Sequence, residues 1–372
     1  MQLECSWGFN LRKILYIVST LKRSGPINQL FNIIKNIDRS VFVPVLITLS
    51  PEVKDSKWQD YESLNIEMYS LNLSRLGGLF FAKSELRKLI NDTQPDLIYT
   101  QGIRSDSLIA TIKPHQPWML TSRNYPFDDY PSKFGKARGL LMARKHAAVQ
   151  KSCKHVIACS KSIKAMLTEI GIASYAIQNG VSFNKEIQAN AVSYDYEGPV
   201  FITVGSLIPR KNVQMLIQSF NQWKLESGSL GSLVVVGDGF EREKLESLAG
   251  KGVFFVGNVD NVSDYLASAD YFVSASLSEG LPNTVLEALA SGLPVLLSDI
   301  LPHKEIYEEC DGACRTFELK NGMKALVSEF ENATRNFDST SKEDAKRVAN
   351  TVFSAEVMSG HYQDYYLKIL EK

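Results

Sequence analysis

The chain has 372 residues, 44% of them hydrophobic and 22% charged, an ordinary globular balance long enough for two domains. The longest run without a charged residue is the 15 of Ile170–Asn184, well short of the roughly 20 apolar residues of a membrane-crossing helix, which excludes an integral helical membrane protein. The 41 Lys and Arg match the 41 Asp and Glu, which argues against a generally basic nucleic-acid binder. The zero is nevertheless a sum of opposites: residues 1–180 hold 24 basic against 14 acidic, and residues 181–372 hold 17 against 27.

In chain order, the first twenty residues have an apolar core of only about six and no small-residue cleavage site, so no secretory signal is expected. Five scattered cysteines without metal spacing fit a reducing compartment, and the expected location is the cytoplasm. Short apolar runs at 14–19, 41–49, 96–100, 118–122 and 155–160 alternate with amphipathic stretches and predict five parallel strands over residues 1–180. About 18 aperiodic residues after Asn179 and Gly180 predict a linker. A second series over 181–353 has strands expected at 199–205, 232–238, 253–258, 271–276 and 294–299. Ser354 then caps a final helix over 354–372, with Tyr362, Tyr365, Tyr366 and Ile369 at helical spacing. The class is α/β, with two Rossmann-like doubly wound domains. Neither half has a G-x-G-x-x-G or P-loop sequence, and H-E-x-x-H, zinc-type clusters and G-x-S-x-G are absent. Dehydrogenase, NTPase, metalloprotease and esterase chemistry therefore lack support, and no metal site is expected.

The most informative segment is 271–299, YFVSASLSEGLPNTVLEALASGLPVLLSD. A strand is followed by a turn with Glu279, Gly280, Leu281 and Pro282. A helix from Asn283 to Ser291 stops at Gly292, with Pro282 expected as its first residue. Such a helix points free N–H groups at the carboxyl edge of the sheet, where a phosphate can bind. Glu279 and Glu287 have seven residues between them, and a carboxylate accepts two hydroxyl hydrogen bonds at once, which suits sugar and ribose hydroxyls. Earlier, VGSLIPRKNVQMLIQSF (204–220) leads from Gly205 and Ser206 through Arg210 and Lys211 into a helix with an apolar face of Val213, Leu216, Ile217 and Phe220.

These segments resemble the signature of the retaining glycosyltransferases of family 4. That resemblance implies the GT-B fold, two Rossmann-like domains facing across a cleft, with the last helix crossing back to the amino domain. It implies transfer of a glycosyl unit from a nucleotide sugar, UDP- or GDP-linked, with no metal or other cofactor. Glu279 would hold the donor sugar's hydroxyls and Glu287 the ribose, and Lys211 would stabilise the leaving diphosphate. Two departures stand out. Ser206 occupies the place of a family arginine, for which Arg210 is the nearest substitute. Arg123 occupies the place of a histidine lining the cleft; an arginine donates hydrogen bonds and does not act as a base. Gly25, after Ser24, would admit donor phosphate or acceptor to a helix beginning near Pro26. Asn258 and Val259 follow the strand where the family reads the nucleobase, and Glu305 follows a loop that touches the donor sugar.

The acceptor is written in composition. Residues 131–168 hold nine Lys and Arg and no acidic residue. On one helix, Lys133, Lys136, Arg144, Lys151 and Lys154 would share a stripe with Leu140. This predicts a lipid-linked or glycan acceptor, as in cell-surface polysaccharide assembly (lipopolysaccharide or capsule), and peripheral contact with anionic lipid at the inner face of the cytoplasmic membrane. The alternatives are a nucleotide-sugar 2-epimerase of the same fold and a nucleotide-sugar-binding subunit without activity.

Overall fold

The computed structural model describes residues 11–182, 192, 198–335 and 340–371. The linker expected over 181–198 lies almost wholly outside them, as does Cys5. The amino-terminal sheet is parallel and seven-stranded: β1 Arg12–Val18, β2 Phe42–Thr48, β3 Glu67–Ser70, β4 Leu97–Thr100, β5 Trp118–Ser122, β6 His155–Ala158 and β7 Tyr175–Ala176, in the order β3-β2-β1-β4-β5-β6-β7. The carboxyl-terminal sheet is parallel and six-stranded: β8 Val200–Val204, β9 Ser232–Val236, β10 Val253–Gly257, β11 Tyr271–Ser274, β12 Val295–Ser298 and β13 Cys314–Phe317, in the order β10-β9-β8-β11-β12-β13.

Helices cover both faces of each sheet, so central strands are buried on both sides and read as continuous apolar runs. Ile14, Tyr16 and Val18 face one core, and Leu15 and Ile17 the opposite one. Ile202 and Phe201 divide the second sheet's two cores in the same way. The sequence pattern finds ten of the strands and misses three, all at or near sheet edges. β3 is EMYS with both ends exposed, β7 has two residues, and β13 carries Arg315; an edge strand buries too little to need an apolar run.

Strand order reverses between β1 and β4 and again between β8 and β11. The crevices at these two switch points lie beyond the carboxyl ends of the strands, where open α/β sheets bind ligands. The last helix, Ala355–Leu370, packs on helix Gly25–Lys35, and its Met358, Tyr362, Tyr366 and Ile369 belong to the amino-terminal core. Tyr362 and Tyr366 are fully buried, within hydrogen-bond distance of Thr121 (3.1 Å) and Tyr16 (3.2 Å). Where the chain leaves and re-enters this domain, the Val181 N–H donates to the Phe353 carbonyl (2.8 Å) and the Ala355 N–H to the Val181 carbonyl (3.0 Å). A Cβ at Gly180 would stand 2.3 Å from the Ser354 carbonyl oxygen, so only glycine fits this crossing.

The basic tract is partly helical, but the stripe from Lys133 to Lys154 is not carried by one helix. Gly135, with φ of 77°, breaks the chain between helix Pro126–Phe134 and helix Lys136–Ser152. Lys133 belongs to the first, Lys154 lies beyond the second, and the continuous stripe reduces to Lys136, Leu140, Arg144 and Lys151.

Candidate active site

At the carboxyl end of β8 the chain turns through Gly205 and Ser206 into a 3-10 turn, Pro209–Lys211, ahead of helix Val213–Ser227. Asn212, in the left-handed region, closes this turn and donates to the Ala275 carbonyl after β11 (3.2 Å). The two loops are thereby joined, and their side chains converge. Glu279 is 8% exposed, with Oε2 2.7 Å from the Arg210 guanidinium and Oε1 2.7 Å from Lys211 Nζ. The Ser276 hydroxyl donates to the same carboxylate (2.8 Å), and Arg210 also donates to the Ser278 carbonyl. Burial by itself would raise the Glu279 pKa; the charges of Lys211 and Arg210, and their hydrogen bonds, outweigh it and hold the value down at about 2. The site thus contains one firmly ionised carboxylate under two cations, with a net positive charge beside a helix start.

That helix runs Asn283–Ala290, with Pro282 in extended conformation as its N-cap. Pro282 therefore stands one position before the first helical residue expected for it, because the turn at Glu279–Leu281 needs an extended residue to enter the helix. Glu287 lies on this helix, its carbonyl accepting from the Ser291 N–H and hydroxyl (3.0 Å each). Burial pushes its pKa up to about 7 against the opposing pull of Lys211.

A cavity of about 360 Å³ lies between the two sheets. Gly25, Arg123, Gly205, Ser206, Arg210, Lys211, Glu279, Gly280, Leu281, Pro282 and Asn283 line it, so most of the residues singled out in the sequence face one space. Asn258 and Val259 do not: Asn258 is exposed and Val259 packs on the carboxyl-terminal core. They follow β10, the edge strand, two strands away from β8. Glu305 is also placed otherwise. It accepts from the Lys161 and Ser162 N–H groups (2.8 and 2.9 Å), the Ser162 hydroxyl and Gln178, capping helix Lys161–Glu169 of the opposite domain.

Arg123 reaches across from β5. Its Nε donates to Gln101 (2.8 Å), one terminal nitrogen to Asn179 (2.8 Å) and the other to the Tyr99 hydroxyl (3.3 Å). All three partners are neutral, so this cation keeps its full charge at the cleft floor. Its backbone matters equally, since a Cβ at Gly280 would stand 2.1 Å from the Arg123 carbonyl oxygen. Further bonds close the cleft at this point. Asn179 donates to the Leu281 carbonyl and the Asn283 amide oxygen, Gln29 to the same Asn283 oxygen, and Ser160 to the Gly280 carbonyl.

A second cavity, of about 380 Å³, lies on the amino-terminal side and shares Pro26, Arg123, Asn124 and Lys133 with the first. Gln29, Asn179, Tyr130 and His146 are absent from the residues found by sequence motif. Asn179 reads as the end of a domain, and the others belong to helices whose facing is decided only by packing.

Residues 198–334 match the family described as glycosyl transferases group 1, and residues 32–185 match Glycosyltransferase Family 4. An O-antigen biosynthesis glycosyltransferase, WclY of Escherichia coli, is 24% identical over 326 residues, spanning 83% of this chain and 85% of WclY. The capsular polysaccharide biosynthesis glycosyltransferase CapH of Staphylococcus aureus is 24% identical over 85% of this chain and 89% of its own. Among solved structures, Anabaena HepE in complex with UDP superposes with a TM-score of 0.76 at 17% identity, over 96% of this chain and 100% of HepE. The architecture is GT-B, as the motifs imply.

Proposed function

Because the chain belongs to the family 4 (group 1) glycosyltransferases and is a glycosyltransferase, we propose that it transfers a glycosyl unit, with retention, from a nucleoside diphosphate sugar to a glycan or lipid-linked acceptor in cell-surface polysaccharide biosynthesis. The observation that carries this reading is the Arg210–Glu279–Lys211 cluster on the wall of the cleft cavity. Departure of a nucleoside diphosphate leaves negative charge on its oxygens. Two cations held in place by a buried carboxylate, together with free N–H groups at Asn283–Ala290, offset that charge without reorganising. Arg210 shares the carboxylate with Lys211, which supports it as the replacement for the arginine missing at Ser206. Glu279, acceptor-only when ionised, suits the hydroxyls of the sugar, and Glu287 those of the ribose. The positive charge comes from the protein's own side chains, with no metal or cofactor invoked. The donor is UDP-linked, in keeping with the UDP bound by HepE, and the acceptor enters from the amino-terminal cavity.

No helix of the described residues is long and apolar enough to cross a membrane. Peripheral contact with the inner face of the cytoplasmic membrane is supported by one surface. Leu76, Leu79, Phe80 and Phe81, at the start of helix Arg75–Thr93, are exposed, Leu79 by 78%. A groove lined by Gly78, Leu79, Met142 and Lys145 joins them to the cation-rich helix Lys136–Ser152, on which Leu141 is 70% exposed. Apolar side chains beside Lys145, on a helix that also carries Arg144 and Lys151, match an anionic interface.

The deciding experiment is a calorimetric panel of UDP-, GDP- and ADP-sugars, followed by acceptor-dependent release of free nucleotide. Lys211→Ala should lower turnover on the order of a hundredfold, as loss of one preorganised charge-stabilising donor does. Unchanged turnover would remove Lys211 from the reaction. Flotation with anionic but not neutral vesicles tests the membrane surface.

A further inference from the structure

Helix Pro126–Phe134 and helix Lys136–Ser152 fold back on each other so closely that a Cβ at Gly139 would meet the backbone of Pro131 at 2.4 Å. This contact lays Tyr130 against His146. The Tyr130 hydroxyl is 2.9 Å from His146 Nδ1, and His146 Nε2 is 2.7 Å from Asp106 Oδ2. Asp106 lies on helix Ile103–Ile112 and is fully buried; His146 is nearly so. The three form a chain from the protein interior to the amino-terminal cavity, which both Tyr130 and His146 line.

The chain has a direction. A carboxylate on Nε2 requires the ring proton there, so a neutral ring offers a bare Nδ1. With the ring in that form the Tyr130 O–H donates inward, and the phenol oxygen is left with lone pairs alone for anything in the cavity. Phe134, 43% exposed, stacks on Tyr130 with centroids 6.3 Å apart, and the Arg138 guanidinium lies over the same ring, 5.6 Å from its centroid, so the exposed part of an aromatic ring adjoins this acceptor atom. An apolar face beside a directed polar atom is the arrangement that holds a sugar ring and reads one of its hydroxyls.

We propose that Tyr130 is the specificity residue of the acceptor cavity: its oxygen receives the hydrogen bond of an acceptor sugar's hydroxyl, the ring of that sugar lies against Phe134, and His146 and Asp106 are positioning residues that hold Tyr130 in this polarity. The inference rests on the glycosyltransferase reading and adds to it the chemistry of the acceptor. A hydroxyl is selected at this oxygen because it can donate to it.

The test uses the full chain loaded with UDP and a panel of octyl hexosides, titrated by saturation-transfer NMR, with UDP affinity measured by calorimetry. At least one hexoside should bind the wild type. Tyr130→Phe, which keeps the ring, and His146→Ala should weaken it about tenfold while leaving UDP affinity unchanged. His146→Asn, whose amide oxygen can take the place of Nδ1, should recover most of the loss. The proposal is overturned by any of three results: wild-type affinity in Tyr130→Phe, no hexoside bound by the UDP-loaded wild type, or UDP affinity falling in parallel with hexoside affinity. A merely structural network would lower the melting temperature of Tyr130→Phe without moving the hexoside titration. Failure of the glycosyltransferase reading shows separately, as absence of binding by any nucleotide sugar in the calorimetric panel.

Discussion

Replacing Glu279 by Gln separates the two tasks that the site gives this residue. The substitution is isosteric and removes one negative charge from between Arg210 and Lys211, each now 2.7 Å from it. A phosphate on the far side of either cation would sit about 5–6 Å from the Glu279 carboxylate, the ion-pair length plus one further hydrogen bond. At an effective dielectric constant of about 20, like charges at that separation repel by roughly 3 kcal/mol. The cations' partial exposure, with 14% and 17% of their side-chain surface open, brings this to about 1–2 kcal/mol, so UDP should bind about tenfold more tightly to Glu279→Gln. Glycosyl transfer should move the other way, falling on the order of a hundredfold, because the amide is a poorer acceptor for sugar hydroxyls and leaves the cations less well fixed. The melting temperature should drop as well, since two partly buried cations lose their shared partner. Calorimetry with UDP, steady-state kinetics and thermal unfolding read the three effects independently. Tighter UDP binding with unchanged transfer would show that Glu279 only buffers the cations. Weaker UDP binding would refute the charge argument itself.

Glu287 predicts a pH dependence of stability. Its folded pKa of about 7 lies above the ordinary value of 4.5, so between these two the folded state binds the extra proton and stability falls as pH rises through that window. Glu287→Gln should flatten the decline and gain on the order of 2 kcal/mol over the wild type at pH 8; parallel melting curves from pH 5 to 8 would contradict the assignment. Gly280→Ala places a methyl group 2.1 Å from the Arg123 carbonyl, so the cleft can no longer close at this point. Transfer should fall by more than tenfold while the melting temperature changes by only a few degrees. Tyr362→Ala empties a fully buried site between the last helix and the amino-terminal sheet and should cost about 3–5 kcal/mol in denaturant unfolding.

Much of the carboxyl-terminal half is legible in the sequence because its chemistry is local. A strand, a turn and a helix start lie within thirty residues, and Glu279, Gly280 and Asn283 are placed by that turn alone. Lys211 and Arg210 are equally local to β8. Their union on Glu279 depends on β8 and β11 being neighbours at the switch point, which the doubly wound pattern already implies. Asn258 and Val259, which follow the strand where the resemblance places nucleobase reading, lie outside the lining of that cavity, since β10 is the edge strand. Glu305 lies within helix Leu301–Tyr307 and turns to the opposite domain's helix, because four donors converge there.

The amino-terminal half is less legible, and the reason is physical. The periodicity of helices Pro126–Phe134 and Lys136–Ser152 is masked by a dense series of cations, and one left-handed glycine, Gly135, redirects the chain. Asp106, Tyr130 and His146 are separated by up to 40 residues on three helices, and nothing in their spacing joins them. The α/β class, two parallel sheets, the paired glutamates and the cations beside the cleft are legible from sequence alone. Tertiary structure alone decided which cations share a carboxylate and that the side-chain partners of Arg123 among the described residues are neutral. Those outcomes depend on helices and loops far apart in sequence meeting across a close-packed interface, where space for one methyl group at Gly280 or Gly180 is already too much.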